Sequence, residues 1–260
     1  AKELTRKVVF LRPLGLRLRQ AARYRIAGFD VDMNCTSSYM RRLCRDYLST
    51  DTEQEAMNLC YQEEDMERYP QFGRKPAEFE YNYTLYQFAG HLVKRKAFCF
   101  HASALSVDGE GILFSADSGT GKSTHARLWK EYVTDHKVIN LNDDKPMIRL
   151  MDGRPWAWGA PWSGKHSIHA NIGVPVKALV FLEQGEENRI ERLRPGQIFP
   201  LLFPQVIGAK SSVQQAAALL ELLDQFVRGI SVYRLRCNIS EEAVRLVYDT
   251  VWERKMDDEN

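Results

Sequence analysis

The sequence lacks long apolar runs, a large net charge and closely spaced cysteines. No apolar run approaches the roughly 20 residues of a membrane-spanning helix, so no such helix is predicted. The formal net charge is only +2, which gives no reason to expect nucleic acid or a membrane surface as a partner. The five cysteines form no CxxC pair. A disulfide framework or a zinc site is therefore not expected, whereas a reducing, cytoplasmic location is.

What the sequence does contain is enough apolar material for a large core. Hydrophobic residues make up 44% of the 260 positions, which suits one large domain or a domain with a smaller appendage. We expect residues 1–95 to form an N-terminal region of strands and helices that packs on a catalytic core of residues 96–260. Eight basic residues stand against one acid between Ala1 and Arg25. They predict either a basic strand or loose extension, or a patch for an acidic partner. Alternating leucines at Leu14, Leu16 and Leu18 favour the strand.

Hydrophobic periodicity and turn residues predict a mixed α/β fold. In the N-terminal region we expect a strand over Tyr24–Met33, a short helix over Ser38–Leu48, a loop-rich solvated stretch over Thr50–Arg74, and a helix from Pro76 through Lys94. Strands are predicted later at Ala97–Val107, Ile112–Ser115, Lys137–Leu141 and Ile230–Cys237. Hairpins or antiparallel pairs are predicted for Met147–Met151 with Pro155–Trp158, and for Ala178–Leu182 with Arg189–Leu193. Helices are predicted at Lys122–Tyr132, Ser211–Arg228 and Ser240–Glu253.

A glycine-rich segment between a predicted strand and a predicted helix carries the clearest chemical signal. It reads Ala116-Asp117-Ser118-Gly119-Thr120-Gly121-Lys122-Ser123 and departs from the phosphate-loop pattern G-x-x-x-x-G-K-[ST] only at its first position. Glycines let successive backbone N–H groups turn toward phosphate oxygens, and the following helix adds positive dipole charge. The lysine can reach the β- and γ-phosphates, and the serine hydroxyl can bind Mg²⁺. We therefore predict that residues Ser118–Thr124 bind a nucleoside triphosphate.

Two further features could complete such a site. Asp143 and Asp144 follow the apolar strand Lys137–Leu141, where one carboxylate could hold Mg²⁺ and its neighbour could act as a base. Taken without the loop, the same pair would indicate a solvated turn. His101, in the predicted strand before the loop, is by itself typical of a structural histidine.

These elements, in this order, resemble the HPr kinase/phosphorylase catalytic domain and the related nucleotide core of ATP-dependent phosphoenolpyruvate carboxykinase. The resemblance covers about residues 98–145, and the matching residues are His101–Ala104, Ser118–Ser123 and the pair Asp143-Asp144. It implies a phosphate-loop core with a mixed, strongly bent sheet, hairpins and flanking helices. ATP and Mg²⁺ are the implied cofactors, and homo-oligomers occur in the kinase group.

The resemblance also implies roles for individual residues. Lys122 would contact the phosphates, while Ser123 and Asp144 would hold Mg²⁺. Asp143 would be the base that activates a serine hydroxyl, and His101 would support the acidic pair or the metal.

The segment from Trp156 to Asn171 holds three tryptophans together with Lys165, His166 and His169. It occupies the place where the kinase relatives have substrate-side residues. Lys165 could steady the transferring phosphoryl group, and the aromatic rings could form an acceptor pocket. The alternative is a tryptophan-rich edge of the core with a polar turn.

The function expected from these features is an ATP- and Mg²⁺-dependent kinase acting on a hydroxyl, with serine of a peptide or protein as the acceptor. Two alternatives remain. One is a small-molecule kinase or ATPase of the same fold. The other is a nucleotide-sensing module without turnover.

Overall fold

The computed structural model describes residues 21–51, 55–117, 119–208 and 212–253. The strand predicted around Leu14–Leu18 and the predicted phosphate contact of Ser118 lie outside these residues. In the described ranges no helix is both long and apolar enough to cross a bilayer. All five cysteines are free thiols.

The helices and strands are named here in chain order. The α-helices are α1 (Ser38–Cys44), α2 (Glu63–Arg68), α3 (Pro76–Leu92), α4 (Lys122–Tyr132), α5 (Pro195–Leu202), α6 (Val213–Arg228) and α7 (Glu241–Tyr248). Short 3-10 turns lie at Arg45–Tyr47, Pro70–Phe72, Val93–Arg95 and Phe203–Gln205, and a π-helical turn lies at Asp249–Glu253. The strands are β1 (Ala22–Ile26), β2 (Phe29–Met33), β3 (Met57–Leu59), β4 (Ala97–Phe100), β5 (Ser103–Val107), β6 (Glu110–Ser115), β7 (Val138–Asn142), β8 (Met147–Met151), β9 (Arg154–Trp158), β10 (Gly173–Gln184), β11 (Arg189–Arg192), β12 (Val206–Ile207) and β13 (Ser231–Cys237).

One large mixed sheet, with flanking helices, forms the centre of the fold and confirms the predicted mixed α/β class. Its main path runs β12-β4-β8-β9-β10-β6-β5-β7, with β13 and β11 branching from β10. The long strand β10 joins the two halves. Its first residues pair antiparallel with β9, and its later residues pair parallel with both β6 and β13.

A separate three-stranded sheet, β1-β2-β3, precedes the large one. The predicted single strand Tyr24–Met33 is wrong, because Ala27 and Gly28 take positive φ values of 51° and 73°. Two successive left-handed residues form the tight turn of a hairpin between β1 and β2. The buried residues of this sheet share a core cluster with α3 and with Met147 and Trp162 of the later chain.

The predicted strand Ala97–Val107 is also wrong, since it divides into β4 and β5. Strand β4 pairs with β8 and β12, whereas β5 pairs with β6 and β7. His101 lies in the break, where its backbone N–H donates to Gln205 O at 2.8 Å and the N–H of Ala102 donates to Asp144 O at 3.1 Å. These bonds direct the chain from one half of the sheet to the other, and they place His101 beside the acidic pair.

The predicted antiparallel pair of Ala178–Leu182 with Arg189–Leu193 does not form. Strand β13 lies between them, parallel to β10 and antiparallel to β11. The continuous apolar run in β10 is buried between helices, as is typical of parallel strands. The observed partner of both strands, β13, lies far from them in the sequence, and local periodicity does not indicate such distant partners.

The solvated stretch predicted for Thr50–Arg74 is only partly correct. It contains β3, whose Met57 and Leu59 are buried, and the acidic helix α2. Helix α5 was not predicted. The predictions for α3, α4, the β8–β9 hairpin, α6, β13 and α7 are confirmed, with Ser212 and Ser240 as side-chain N-caps of the last two helices.

Candidate active site

The elements with predicted chemistry meet at one edge of the large sheet. Strands β6 and β7 are both antiparallel to β5, so they run in the same direction and their carboxyl ends lie together. The phosphate loop follows β6, and Asp143-Asp144 follows β7. A cavity of about 910 Å³ opens there, at the upper end of the size of small-molecule sites.

The cavity brings together most of the predicted site residues. Its lining includes His101, Gly119, Gly121, Lys122, Ser123, Thr124, Asp143, Asp144 and Lys165. Thr120 belongs to the same loop but does not line the cavity, and its carbonyl accepts a hydrogen bond from Gln184 at 3.4 Å.

The loop between β6 and α4 has the backbone shape that its glycines predict. Gly119 and Gly121 have φ values of 86° and 110°, which disfavour residues with a Cβ. Ala116, the departure from the motif, is buried and is not among the residues with positive φ, so its methyl group is tolerated. Helix α4 begins at Lys122 and directs its N-terminus at the cavity.

Lys122 closes the loop on itself. Its Nζ donates to the carbonyl oxygens of Ala116 at 2.9 Å and Asp117 at 3.4 Å. Burial lowers the pKa of the Lys122 ammonium against the opposing effect of nearby carboxylates, the first of which is Asp144. The group is thus a desolvated cation facing the cavity, held by weak neutral acceptors that an anionic ligand could replace.

Asp143 is a buried carboxylate with hydroxyl partners. Ser103 Oγ, on β5, donates to Asp143 O at 2.9 Å and to its Oδ1 at 3.2 Å. Burial raises the pKa of Asp143, and hydrogen bonds from Ser123 and Ser103 moderate the rise. A carboxylate with a raised pKa accepts protons more readily than an exposed one, which suits a base.

Asp144 has the opposite electrostatic character. His101 Nε2 lies 3.4 Å from Asp144 Oδ1, and Lys145 Nζ forms an ion pair with Oδ2. Burial opposes ionisation of this carboxylate. The hydrogen bond from His101 and the charge of Lys145 outweigh burial and lower the pKa of Asp144 to about 2. Asp144 therefore stays ionised at neutral pH, as a metal ligand must.

Lys145 and Tyr81 belong to the site but were missed by sequence reasoning. Lys145 Nζ lies 5.6 Å from the centre of the Tyr81 ring, and the N–H of Gly164 donates to Tyr81 Oη at 3.0 Å. Tyr81 comes from α3, more than 60 residues before its partners. No local pattern marks a tyrosine in a helix as a neighbour of an acidic pair.

Residues of the N-terminal region form one wall of the cavity. Besides Tyr81 it contains Tyr39 of α1 together with Lys75, Glu78 and Asn82 at the start of α3. The sequence offered no signal for this wall, because its residues have ordinary surface chemistry and only the packing of α1 and α3 brings them to the cavity.

The predicted aromatic acceptor pocket is not observed. Trp162 is fully buried, stacks on Phe88 at 5.1 Å and donates to Thr84 Oγ1 at 3.2 Å. None of Trp156, Trp158 or Trp162 lines the cavity. The segment is a tryptophan-rich core edge followed by a polar turn, and that turn presents Lys165 and His166 to the cavity.

The donor set at the cavity fits Mg²⁺ better than a softer metal. Ser123, Asp143 and Asp144 offer oxygen atoms, which Mg²⁺ prefers. Among the described residues no cluster of three or more histidine, cysteine or acidic side chains could hold a metal ion without other ligands. Such a sparse set is what a magnesium ion needs when phosphate oxygens and waters complete its shell.

Comparison with known proteins gave one kind of match. No protein-family model matches the chain, and no curated protein matches it. Among solved structures, the chain is similar to the Hpr(Ser) kinase/phosphatase from Coxiella burnetii, with 14% identity and a TM-score of 0.32. The match covers 58% of this chain and 97% of the other. A likeness of this size carries no argument about function, which must come from the geometry of the cavity.

Proposed function

We propose that this protein is an ATP- and Mg²⁺-dependent phosphotransferase that moves the γ-phosphoryl group to a hydroxyl, with serine of a peptide or protein as the acceptor. The observation that carries the proposal is the shared cavity. The phosphate loop with Lys122 and the acidic pair Asp143-Asp144 line the same 910 Å³ space. A chance match to the loop motif would have no reason to place two electrostatically different carboxylates beside it.

The phosphate loop supplies nucleotide binding. Backbone N–H groups around Gly119–Gly121 and the N-terminus of α4 attract the phosphates. Lys122 exchanges its carbonyl partners for phosphate oxygens, and Thr124 lines the same end of the cavity. Ser123 and Asp144 would hold Mg²⁺, which when bound neutralises phosphate charge.

Transfer then requires one proton movement and one displacement. The acceptor hydroxyl gives its proton to Asp143, and its oxygen forms a bond to the γ-phosphorus. The bond from the γ-phosphorus to the bridging oxygen breaks, and ADP leaves with that electron pair. The raised pKa of Asp143 favours the proton transfer, Ser103 orients the carboxylate, and Lys165 at the cavity rim steadies the transferring group.

Calorimetric titration with MgATP tests the binding step. Lys122→Ala should weaken binding strongly, whereas Lys130→Ala, an exposed lysine on the same helix, should leave it unchanged. If the folded wild type does not bind MgATP, the proposal is wrong.

Asp143→Asn tests the transfer step. This variant should keep MgATP binding and lose most product formation, and retained transfer would overturn the role of Asp143 as base. Phosphate release without an added acceptor would indicate an ATPase. Labelling of a small molecule in place of a peptide would indicate a small-molecule kinase. Binding without any product after prolonged incubation would indicate a nucleotide sensor.

A further inference from the structure

Gln205 makes contacts that the proposed mechanism does not use. It ends the 3-10 turn between α5 and β12, in a part of the chain for which the sequence predicted no role. Its amide reaches two residues of the candidate site. Oε1 lies 2.8 Å from His101 Nδ1, and Nε2 donates to Asp117 Oδ1 at 3.2 Å.

The chemistry of Asp117 fixes the orientation of this amide. An ionised carboxylate can only accept hydrogen bonds, so the NH₂ group of Gln205 must face Asp117 and the amide oxygen must face His101. His101 Nδ1 therefore carries a proton and donates it to Oε1. A backbone hydrogen bond also joins the two residues: the N–H of His101 donates to the carbonyl oxygen of Gln205 at 2.8 Å.

Each partner of Gln205 belongs to a different part of the site. Asp117 is in the phosphate loop, and its carbonyl oxygen accepts from Thr120 N at 3.3 Å and from Lys122 Nζ at 3.4 Å. His101 turns its other nitrogen, Nε2, toward Asp144 Oδ1. One side chain thus joins the loop that would hold phosphate to the carboxylate that would hold Mg²⁺.

We propose that Gln205 is a positioning residue that couples the phosphate loop to the His101–Asp144 pair. The expected effect on MgATP binding rests on the proposed function. The positioning of His101 and Asp117 rests on the hydrogen bonds of Gln205 alone. Asn or Ala at this position would be too short for both contacts. Glu would keep an acceptor for His101 but would lose the donor and place a like charge beside Asp117.

Gln205→Glu keeps the contact with His101 and loses the contact with Asp117, whereas Gln205→Leu loses both. The two contacts of Gln205 can therefore be tested separately. The first readout is the nitrogen-15 spectrum of the histidine rings in the nucleotide-free protein, with the His101 signals identified by their absence in His101→Gln. We expect a protonated Nδ1 for His101 in the wild type and in Gln205→Glu. In Gln205→Leu the acceptor is gone, so the Nδ1 signal should shift.

The second readout is MgATP affinity by calorimetry. Gln205→Leu, Gln205→Glu and Asp117→Ala should each weaken binding about tenfold, since each removes a hydrogen bond to a charged group. The double variant of Asp117→Ala with Gln205→Leu should bind no worse than Gln205→Leu alone, because Gln205→Leu already removes the contact with Asp117 that Asp117→Ala removes.

The matched control is Gln87→Leu. Gln87 also bridges two groups through its amide, accepting from Cys60 N at 3.1 Å and donating to Cys60 O at 2.9 Å, but it does not line the cavity. The inference is wrong if Gln205→Leu leaves the His101 ring signals unchanged and alters MgATP affinity no more than the control. It is also wrong if the double variant shows the summed effect of its parts. If the wild type binds no MgATP, the proposed function fails while the ring signals still decide whether Gln205 orients His101.

Discussion

Replacing Gly164 by alanine should disable the site through one contact. Gly164 has φ +75°, and a Cβ added there would lie 2.8 Å from Asp144 Cβ and 2.9 Å from its Oδ2. Contacts this short force Asp144 or the turn carrying Lys165 to move. The turn is held by the bond from Gly164 N to Tyr81 Oη, and Asp144 is held by His101 and Lys145. Either movement disturbs groups assigned to transfer.

Gly153 provides the control for backbone strain. Its φ is +74°, and an added Cβ would find no atom within 4 Å. Both alanine variants should lose about 1–2 kcal/mol of unfolding free energy from the left-handed conformation. Only Gly164→Ala should also lose function. Displacing a residue that supports a metal ligand or a reacting group lowers affinity or rate on the order of 10- to 100-fold.

The assay combines urea unfolding with MgATP titration and ADP formation. We expect both variants to show similar losses of stability from strain, with any additional loss in Gly164→Ala coming from the contact. ADP formation should be near wild type in Gly153→Ala and strongly reduced in Gly164→Ala. Equal ADP formation in the two variants would show that the contact between Gly164 and Asp144 has no bearing on the site, and the reasoning would be refuted.

Three further predictions concern stability. Burial lowers the pKa of His125, behind the phosphate loop, to about 4. As the pH falls, this histidine therefore binds a proton in the unfolded chain before it does so in the folded protein. Wild type should therefore lose about 3 kcal/mol of unfolding free energy between pH 6.5 and 4, a loss absent in His125→Leu in acid-dependent urea unfolding. Asp144, with its pKa lowered to about 2, stabilises the fold above its usual 3.8 and loses that contribution as pH falls toward 2. Asp144→Asn should accordingly cost about 2 kcal/mol or more at neutral pH, and the difference from wild type should shrink in acid; a pH-independent difference would contradict the ion pairing. Trp162→Phe should lower the unfolding free energy by about 1–3 kcal/mol while leaving MgATP affinity unchanged, since Trp162 lies in the core and not in the cavity. A change in MgATP affinity would contradict this placement and favour the aromatic pocket predicted from the sequence.

Residue types along the chain were sufficient to predict those parts of the site whose residues are consecutive in the sequence. Gly119, Gly121 and Lys122 predicted a loop between strand and helix, because a positive φ favours glycine and helix α4 begins at the lysine. The apolar strand ending in Asp143-Asp144 was likewise predictable. The strand pattern over Val138–Asn142 and the two carboxylates directly after it lie next to each other in the chain, so no distant partner was needed to predict them.

Local chemistry failed where a segment's partner lies far away in sequence. The run Ala97–Val107 reads as one strand, but Gln205 and Asp144 take its backbone hydrogen bonds at His101 and Ala102. Periodicity reports which face of a segment is apolar and says nothing about which segment will cover it. The same limit explains the wrong pairing of β10 with β11.

The sequence by itself determined a glycine-rich loop between a strand and a helix, a carboxylate pair after a later strand, and a mixed α/β framework. The tertiary structure alone decided the different characters of the two carboxylates, because their pKa values depend on burial and on neighbours. Asp143 meets Ser103 and Ser123, whereas Asp144 meets His101 and Lys145. It also decided that Tyr81 and Gln205 reach the site, since side chains more than 50 residues away approach it only after the sheet and helices have packed.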